Sequence, residues 1–212
     1  MNRTSGIYAV TQIPRLYAAF QNLLAGDAAR VRLADEFLKV QPGERVLDIA
    51  CGSAAILPFL GQVDYTGIDS NPKHIAHATR VHGDRGTFMA MTSSETGSLP
   101  KHAFDVVLCI GVLHHLDDTQ LSELAMLAAD RLRAGGRLVA IDPTFIDGQN
   151  PIARFLAKRD SGQHVRAPQE YGRALESSFS HVETAICHDL LRVPYTHCIT
   201  TARGKRTGSA AS

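Results

Sequence analysis

Glu44-Arg-Val-Leu-Asp-Ile-Ala-Cys-Gly-Ser-Ala54 is the stretch of sequence that decides the fold. Its short, bounded apolar run predicts a buried strand of a parallel sheet that is covered on both faces. Asp48 stands at the carboxyl end of this strand, and the small residues Ala50, Gly52 and Ala54 follow it. A turn of small residues lets a ligand lie against the backbone. Because nucleotide-like ligands bind outside the carboxyl end of the first strand in open α/β sheets, we predict a binding site here.

The residues around this turn indicate which ligand it suits. A dinucleotide site uses G-x-G-x-x-G, because a doubly charged pyrophosphate needs bare backbone N–H groups. Only Gly52 of these glycines is present, and Asp48 would repel a pyrophosphate. A cationic ligand suits the turn better, and S-adenosylmethionine (SAM) carries a sulfonium and an ammonium group.

Residues 46–52 resemble the first motif of the class I SAM-dependent methyltransferases, roughly D-x-G-x-G-x-G. Ala50 and Ala54 stand where the outer glycines usually lie, and alanine keeps such a turn if its φ is negative. The resemblance, to bacterial enzymes of the small-molecule type, implies a Rossmann-like three-layer α/β/α sandwich. Its sheet would be mostly parallel, with seven strands of which one is antiparallel, and N-terminal helices would form a cap.

Later parts of the chain match the same family. Asp69 ends a predicted strand over residues 63–68, about 20 positions beyond the turn, where an acid accepts hydrogen bonds from both ribose hydroxyls. Asp69 is alternatively the cap of a helix that starts at Asn71. The strand Phe104–Ile110 and the Gly135-Gly136 turn complete the match. The cofactor-binding residues that the resemblance implies are Asp48, Ala50, Cys51, Gly52, Asp69, Ser70, Ser93, Cys109, Ile110 and Gly111.

The bulk composition narrows the class of protein. The 212 residues predict a single domain over 1–203, with cap helices in 1–40 and a disordered tail at 204–212. A formal net charge of +1 gives no reason to expect a nucleic acid as partner. No apolar run is long enough to span a bilayer, and no signal peptide is recognised. The four cysteines form no CxxC pair, which favours a cytoplasmic protein.

The segments outside the motifs give weaker predictions. Apolar spacing predicts two N-terminal helices with a break near Gly26-Asp27, where Asp27 would be an N-cap. A short or late helix is expected over 53–60, because Pro58 interrupts it. Residues 132–136 predict a turn, residues 137–141 a fifth strand, and residues 181–186 and 192–199 a closing antiparallel pair.

The substrate side of the site is expected near both ends of the chain. By analogy with the family, Tyr8 and Tyr17 are candidates to face the acceptor, and packing residues are the alternative. Arg166, Arg192 and Tyr195 are candidate substrate-binding residues, because arginines bind an anionic group bidentately. The alternative is an internal salt-bridge network that fixes the C-terminal segment.

The reaction predicted is methyl transfer from SAM to an oxygen or nitrogen of a small-molecule acceptor. The leaving group is a neutral thioether, so no metal is required, and none is expected: His181, His188, His197 and Asp189 match no compact ligand pattern. His114 and His115 follow the fourth strand and are the candidate catalytic residues, since a histidine titrates near neutrality. An NAD-dependent oxidoreductase and a non-catalytic SAM-binding protein are the alternatives.

Overall fold

A seven-stranded sheet forms the centre of the molecule. The computed structural model describes residues 26–91, 93–160 and 162–206. The strand order is β3-β2-β1-β4-β5-β7-β6, and β7 runs antiparallel to both of its neighbours. The predicted mostly parallel sheet with one antiparallel strand is confirmed. The strands are β1 (Arg45–Ile49), β2 (Asp64–Asp69), β3 (Gly86–Ala90), β4 (Phe104–Ile110), β5 (Leu132–Pro143), β6 (Phe179–Cys187) and β7 (His197–Lys205).

Helices cover the sheet, and polar side chains fix where several of them begin. Asn71, Asp117 and Asn150 each accept backbone N–H groups of the helix that follows, as N-cap residues do. The helices are α1 (26–32, continued by a π-helical turn at Leu33–Leu38), α2 (Pro72–His82), α3 (Asp118–Arg131), α4 (Pro151–Lys158) and α5 (Pro168–Glu176). Short 3-10 turns lie at Leu57–Phe59, Ser93–Ser98 and Leu113–His115.

Two apolar clusters, one on each face of the sheet, make up the core. Successive side chains of a strand point to opposite faces, so Leu47 packs into one cluster and Val46 into the other. The Leu47 cluster contains residues of α3 and α5, and the Val46 cluster contains residues of the turn Leu33–Leu38. The three layers therefore follow from strands that are apolar on both sides.

The N-terminal part of the domain agrees with the sequence prediction in one place and differs from it in another. The short or late helix expected over 53–60 is the 3-10 turn Leu57–Phe59, with Pro58 in its first positions. Helix α1 covers both Gly26 and Asp27, so Asp27 lies within a helix instead of capping one. Its carboxylate pairs with Arg30 one turn later.

The C-terminal strands also differ in their bounds. β5 begins at Leu132, so the predicted turn at 132–136 belongs to the strand, with a register shift in its pairing to β4. β7 begins at His197 and runs to Lys205, which extends past the predicted domain boundary at residue 203. Pro194 lies just before β7, where a residue without an N–H group cannot continue a ladder. Residues 207–212 of the predicted tail lie outside the described residues.

The membrane prediction has one structural counterpart. Among the residues described, none of the helices is both long and apolar enough to cross a bilayer.

Candidate active site

The turn after β1 has a left-handed backbone at alternate residues. Ala50, Gly52 and Ala54 have φ values of 59°, 56° and 54°. The negative φ that would let alanine replace glycine without strain is therefore absent, and both alanines adopt the backbone that glycine favours at the cost of Cβ strain. A Cβ built on Gly52 meets no atom within 4 Å, so the space above the turn is open to a ligand.

Asp48 is a buried carboxylate beneath this turn. It is 3% exposed, and the Tyr65 hydroxyl on the neighbouring β2 donates to its Oδ2 over 2.6 Å. Burial, helped by the nearby charge of Asp69, raises the pKa of Asp48 to about 7. The hydrogen bond from Tyr65 lowers this pKa but does not outweigh burial. A cation bound above the turn would favour the ionised form.

Asp69 joins the turn after β1 to the start of α2. Its Oδ2 accepts the Gly52 N–H over 2.9 Å, and its Oδ1 accepts the Asn71 N–H over 2.8 Å. His74 Nδ1 lies 3.3 Å from the same Oδ1. The carboxylate thus holds the turn in shape and supports the helix start; its ribose contact stays a prediction.

The end of β4 lies beside the turn because β1 and β4 are adjacent parallel strands. Asp48 pairs with Leu108, so Cys109, Ile110 and Gly111 run alongside the residues after Asp48. The Cys109 side chain is fully buried in the core, and its backbone pairs with Ala140 of β5. Gly111 has a φ of 68°, and a Cβ on it would come within 3.8 Å of His114.

Three other predicted cofactor residues flank this region. Cys51 packs against β2, since a Cβ on Gly67 would lie 2.8 Å from its Sγ. Ser70 follows Asp69 and is half-buried. Ser93 begins a 3-10 turn, and its side chain lies outside the described part of the structure.

A cavity of about 220 Å³ opens next to the turn and the end of β4. Its walls are mostly apolar, and its polar side carries two histidines, a tyrosine and an arginine. Residues from α1, the carboxyl ends of β4 and β5, and the segment before β7 all contribute. The lining residues are Ala29, Arg30, Leu33, Ala55, Ile56, Ile110, Gly111, His114, Ile141, Pro143, Leu190, Leu191, Tyr195 and His197.

His114 lies at the polar side of the cavity between two buried carboxylates. Asp142 Oδ1 accepts from its Nδ1 over 2.7 Å and from its backbone N–H over 3.1 Å. On the other side of the ring, Nε2 lies 3.3 Å from Asp160 Oδ1. Burial lowers the pKa of His114, but the bonds to Asp142 and Asp160 outweigh it and raise the pKa to about 9.

Two further histidines lie close to His114. The rings of His114 and His115 are 4.0 Å apart between centroids. Burial and, to a lesser extent, the charge of His114 together lower the pKa of His115 to about 4. His197 packs on Tyr195 with ring centroids 4.9 Å apart, and burial lowers its pKa to about 4. Both rings are therefore neutral at physiological pH.

Asp160 and residues 162–166, which we call the strap, lie against the loop that carries His114. The His164 N–H donates to the His114 carbonyl over 2.9 Å. A Cβ on Gly162 would lie 2.6 Å from that carbonyl oxygen, so only glycine allows this approach. Arg166 donates to the carbonyls of Leu113, Leu116 and His164 and to the exposed Asp118 carboxylate.

The predicted substrate residues separate into three groups. Tyr195 lines the cavity and donates to Asp160 Oδ2 over 2.7 Å. Arg166 is not in the cavity wall, and its bonds fit the alternative of an internal network. Arg192 is also outside the wall and lies against Gly26 of α1. Tyr8 and Tyr17 lie outside the described residues.

Sequence reasoning did not single out Asp142 and Asp160 as partners of His114. Asp142 stands at the carboxyl end of β5, next to the end of β4, and that position was the available signal. Asp160 has no comparable signal, because it follows a short helix and only the path of the strap brings it to the site.

The residues at the turn fit SAM. The space over Gly52 is open, and a buried carboxylate lies beneath the turn for a cationic ligand. A family model described as "Methyltransferase domain" matches residues 47–138. The solved structure of the mitomycin 7-O-methyltransferase MmcR superposes with a TM-score of 0.67, at 19% identity, over 95% of this chain and 62% of that chain.

Residues 47–138 of this chain are thus similar to a methyltransferase domain, and the chain shares the fold of the solved methyltransferase. This similarity indicates SAM as the cofactor, and the turn, Asp48 and Asp69 are the residues that would hold it.

Curated proteins that match part of this chain are named for different substrates. The ribosomal protein L11 methyltransferase of Ralstonia nicotianae is 34% identical over 119 residues, which cover 54% of this chain and 38% of that protein. The 27-O-demethylrifamycin SV methyltransferase of Amycolatopsis mediterranei is 33% identical over 127 residues, 55% of this chain and 46% of that protein. The chain thus spans less than half the length of these two relatives.

Proposed function

We propose that this protein transfers a methyl group from SAM to an oxygen or nitrogen of a small-molecule acceptor. The observation that carries the proposal is the cavity of about 220 Å³ beside the cofactor turn, with His114 on its polar side. An engineered cavity of about 150 Å³ binds benzene, so this space suits a small ring better than a protein segment. The relative that acts on a rifamycin supports a small-molecule acceptor.

SAM, when bound, supplies a methyl group that a nucleophile displaces in line, and a neutral thioether leaves. The chain's own contribution is to hold the acceptor in line at near-contact distance, an effect worth about 7–11 kcal/mol in well-oriented systems. The apolar wall from α1 and β5 excludes water, and the polar side orients the acceptor.

His114 is the residue that we assign to contact with the acceptor atom. It lines the cavity, whereas His115 is not among the lining residues. Asp142 fixes the ring orientation through Nδ1, as the buried carboxylate does in other histidine-based sites. Nε2 lies 3.3 Å from Asp160 Oδ1.

Calorimetric titration of the protein with SAM, its demethylated product and NAD tests the cofactor assignment. Binding of SAM or its product in the micromolar range, with no response to NAD, is expected. Binding of NAD alone would overturn the proposal. Asp69→Ala should weaken SAM binding by more than about 1.5 kcal/mol if the carboxylate makes charge-assisted bonds to the ribose.

A screen of hydroxylated and amine-bearing ring compounds, with the demethylated product as readout, tests the acceptor class. His114→Ala should lower kcat by about 10²-fold, as a misplacement of the acceptor by about 1 Å does, while SAM affinity is retained. His181→Ala, an exposed histidine on β6, serves as the control. Cofactor binding without turnover on any acceptor would instead favour a non-catalytic SAM-binding protein.

A further inference from the structure

The contact between His114 and Asp160 requires a cation. Asp142 accepts from Nδ1 of His114, which leaves Nε2 facing Asp160 Oδ1. An unprotonated ring nitrogen and a carboxylate oxygen both present lone pairs. Either a proton on Nε2 or a metal ion shared by the two atoms satisfies this arrangement.

The distance between the two atoms fits a shared metal ion. A charge-assisted N–H···O bond is about 2.7–2.9 Å long, as the bond from Nδ1 to Asp142 is. Nε2 and Asp160 Oδ1 are 3.3 Å apart. Two ligands of a tetrahedral ion, each bound at about 2.0–2.1 Å, are separated by about 3.3–3.4 Å.

His115 supplies a third ligand. One ligand atom from each of His114, His115 and Asp160 lies within 4.8 Å of the other two. His115 is half-buried, so a rotation of its side chain can bring its ring nitrogen closer to the ligand atoms of His114 and Asp160. We propose that these three residues bind one divalent transition-metal ion of the Zn²⁺ type. Two imidazoles and one carboxylate select such ions over Mg²⁺, which prefers oxygen ligands.

Neighbouring groups orient the ligands as they do in established metal sites. Ligating histidines typically donate their other ring N–H to a carboxylate, and ligating carboxylates are themselves hydrogen-bonded. Asp142 accepts the other ring N–H of His114. The Tyr195 hydroxyl donates to the Asp160 carboxylate over 2.7 Å, and the Gly162 N–H donates to it over 3.2 Å.

The charges of the buried groups also favour a divalent ion. Asp142 is 2% exposed, and its Oδ2 has no hydrogen-bond partner among the described residues. When both ring nitrogens of His114 carry a proton, the ring is a cation, and His114, Asp142 and Asp160 together have a net charge of −1. A divalent ion with neutral imidazoles brings the same groups to zero, and buried net charge is costly.

The ion would border the cavity, because His114 and Tyr195 both line it. Three protein ligands leave an open coordination position, as in catalytic zinc sites. An oxygen or nitrogen of the acceptor would bind there. The inference goes beyond the proposed methyl transfer, because metal binding is measured without SAM or acceptor.

Titration of the chelator-treated full-length protein with Co²⁺ tests the site by visible absorption, which reports four- or five-coordinate cobalt. We expect one ion per chain, displaced by Zn²⁺ and unaffected by a large excess of Mg²⁺. His115→Ala and His115→Gln should each weaken Co²⁺ binding at least 10-fold, whereas His181→Ala should leave it unchanged. Circular dichroism checks that each variant is folded.

The absence of a cobalt spectrum in the wild-type protein would overturn the inference, as would binding that His115→Ala and His115→Gln leave intact. SAM titration of the same preparations separates this result from the proposed function. SAM binding without Co²⁺ binding removes only the metal site, and Co²⁺ binding without SAM binding removes only the proposed function.

Discussion

Ala50 and Ala54 adopt the left-handed backbone conformation that glycine usually supplies, with φ of 59° and 54°. This conformation costs an L-residue roughly 1–2 kcal/mol. A glycine would avoid this cost, but about half of the resulting gain in stability would be lost to its greater freedom in the unfolded chain. The turn therefore stores strain directly beneath the predicted cofactor.

Ala50→Gly and Ala54→Gly should each raise the free energy of unfolding by about 0.5–1 kcal/mol, because they relieve this strain. Urea denaturation followed by circular dichroism measures the change. Ala90→Gly in β3, whose φ is negative, is the matched control and should lower the free energy of unfolding. A loss of stability in both turn variants would contradict the strained geometry.

Asp48 links the protonation of one residue to the stability of the fold. Its pKa is raised to about 7 in the folded protein from an ordinary value of 3.8, chiefly by burial. At a pH between these two pKa values, Asp48 is ionised in the unfolded chain and protonated in the folded protein. The free energy of unfolding therefore falls as pH rises from about 4 to about 7, by up to about 4 kcal/mol from this group.

Asp48→Asn should abolish this loss. Its stability relative to the wild type should be similar near pH 4 and should exceed it by about 2–4 kcal/mol above pH 7. Urea denaturation of both proteins across this range measures the difference, so that other titrating groups cancel. A difference that does not vary with pH would show that Asp48 is ionised throughout.

At the scale of elements, the strap (Asp160 and residues 162–166) fixes the loop that carries His114. Arg166 is its main anchor, since its guanidinium reaches three backbone carbonyls and the Asp118 carboxylate. The Asp118 side chain is 94% exposed, so the carbonyl bonds account for most of the effect.

Arg166→Met should lower the free energy of unfolding by about 1–3 kcal/mol, because it leaves part-buried carbonyls without donors. Asp118→Asn removes only the exposed partner and should cost less than about 1 kcal/mol. Thermal denaturation of the two variants tests this order. Equal losses would mean that the ion pair, and not the carbonyl contacts, anchors the strap.

At the scale of the whole molecule, the cofactor site is assembled from the ends of three adjacent strands. β1 lies between β2 and β4, and Asp48, Asp69 and Gly111 stand at or just beyond their carboxyl ends. A ligand that binds there contacts elements which are separate in sequence. It should therefore stabilise the folded domain as a unit.

SAM at 100 times its dissociation constant should raise the free energy of unfolding by about 2.7 kcal/mol. For a domain of this size, that corresponds to a rise in Tm of about 5–10 °C. Differential scanning calorimetry with SAM, and separately with NAD at the same concentration, measures this rise in Tm. A similar rise with NAD would contradict the cofactor assignment.

The sequence by itself determined the strands, their motifs and the cofactor. The apolar run Phe104–Ile110 predicts β4 with its observed bounds. These features depend on neighbours along the chain, whose periodicity and turn chemistry are readable locally.

The tertiary structure alone decided the shape of the turn and the surroundings of His114. Ala50 and Ala54 take positive φ because the flanking strands and the Asp69–Gly52 bond fix the path of the chain. Asp142 is 28 residues from His114, and Tyr195 is 35 residues from Asp160. Contacts over such separations arise from the packing of the sheet and the strap, and the order of residues does not encode them locally.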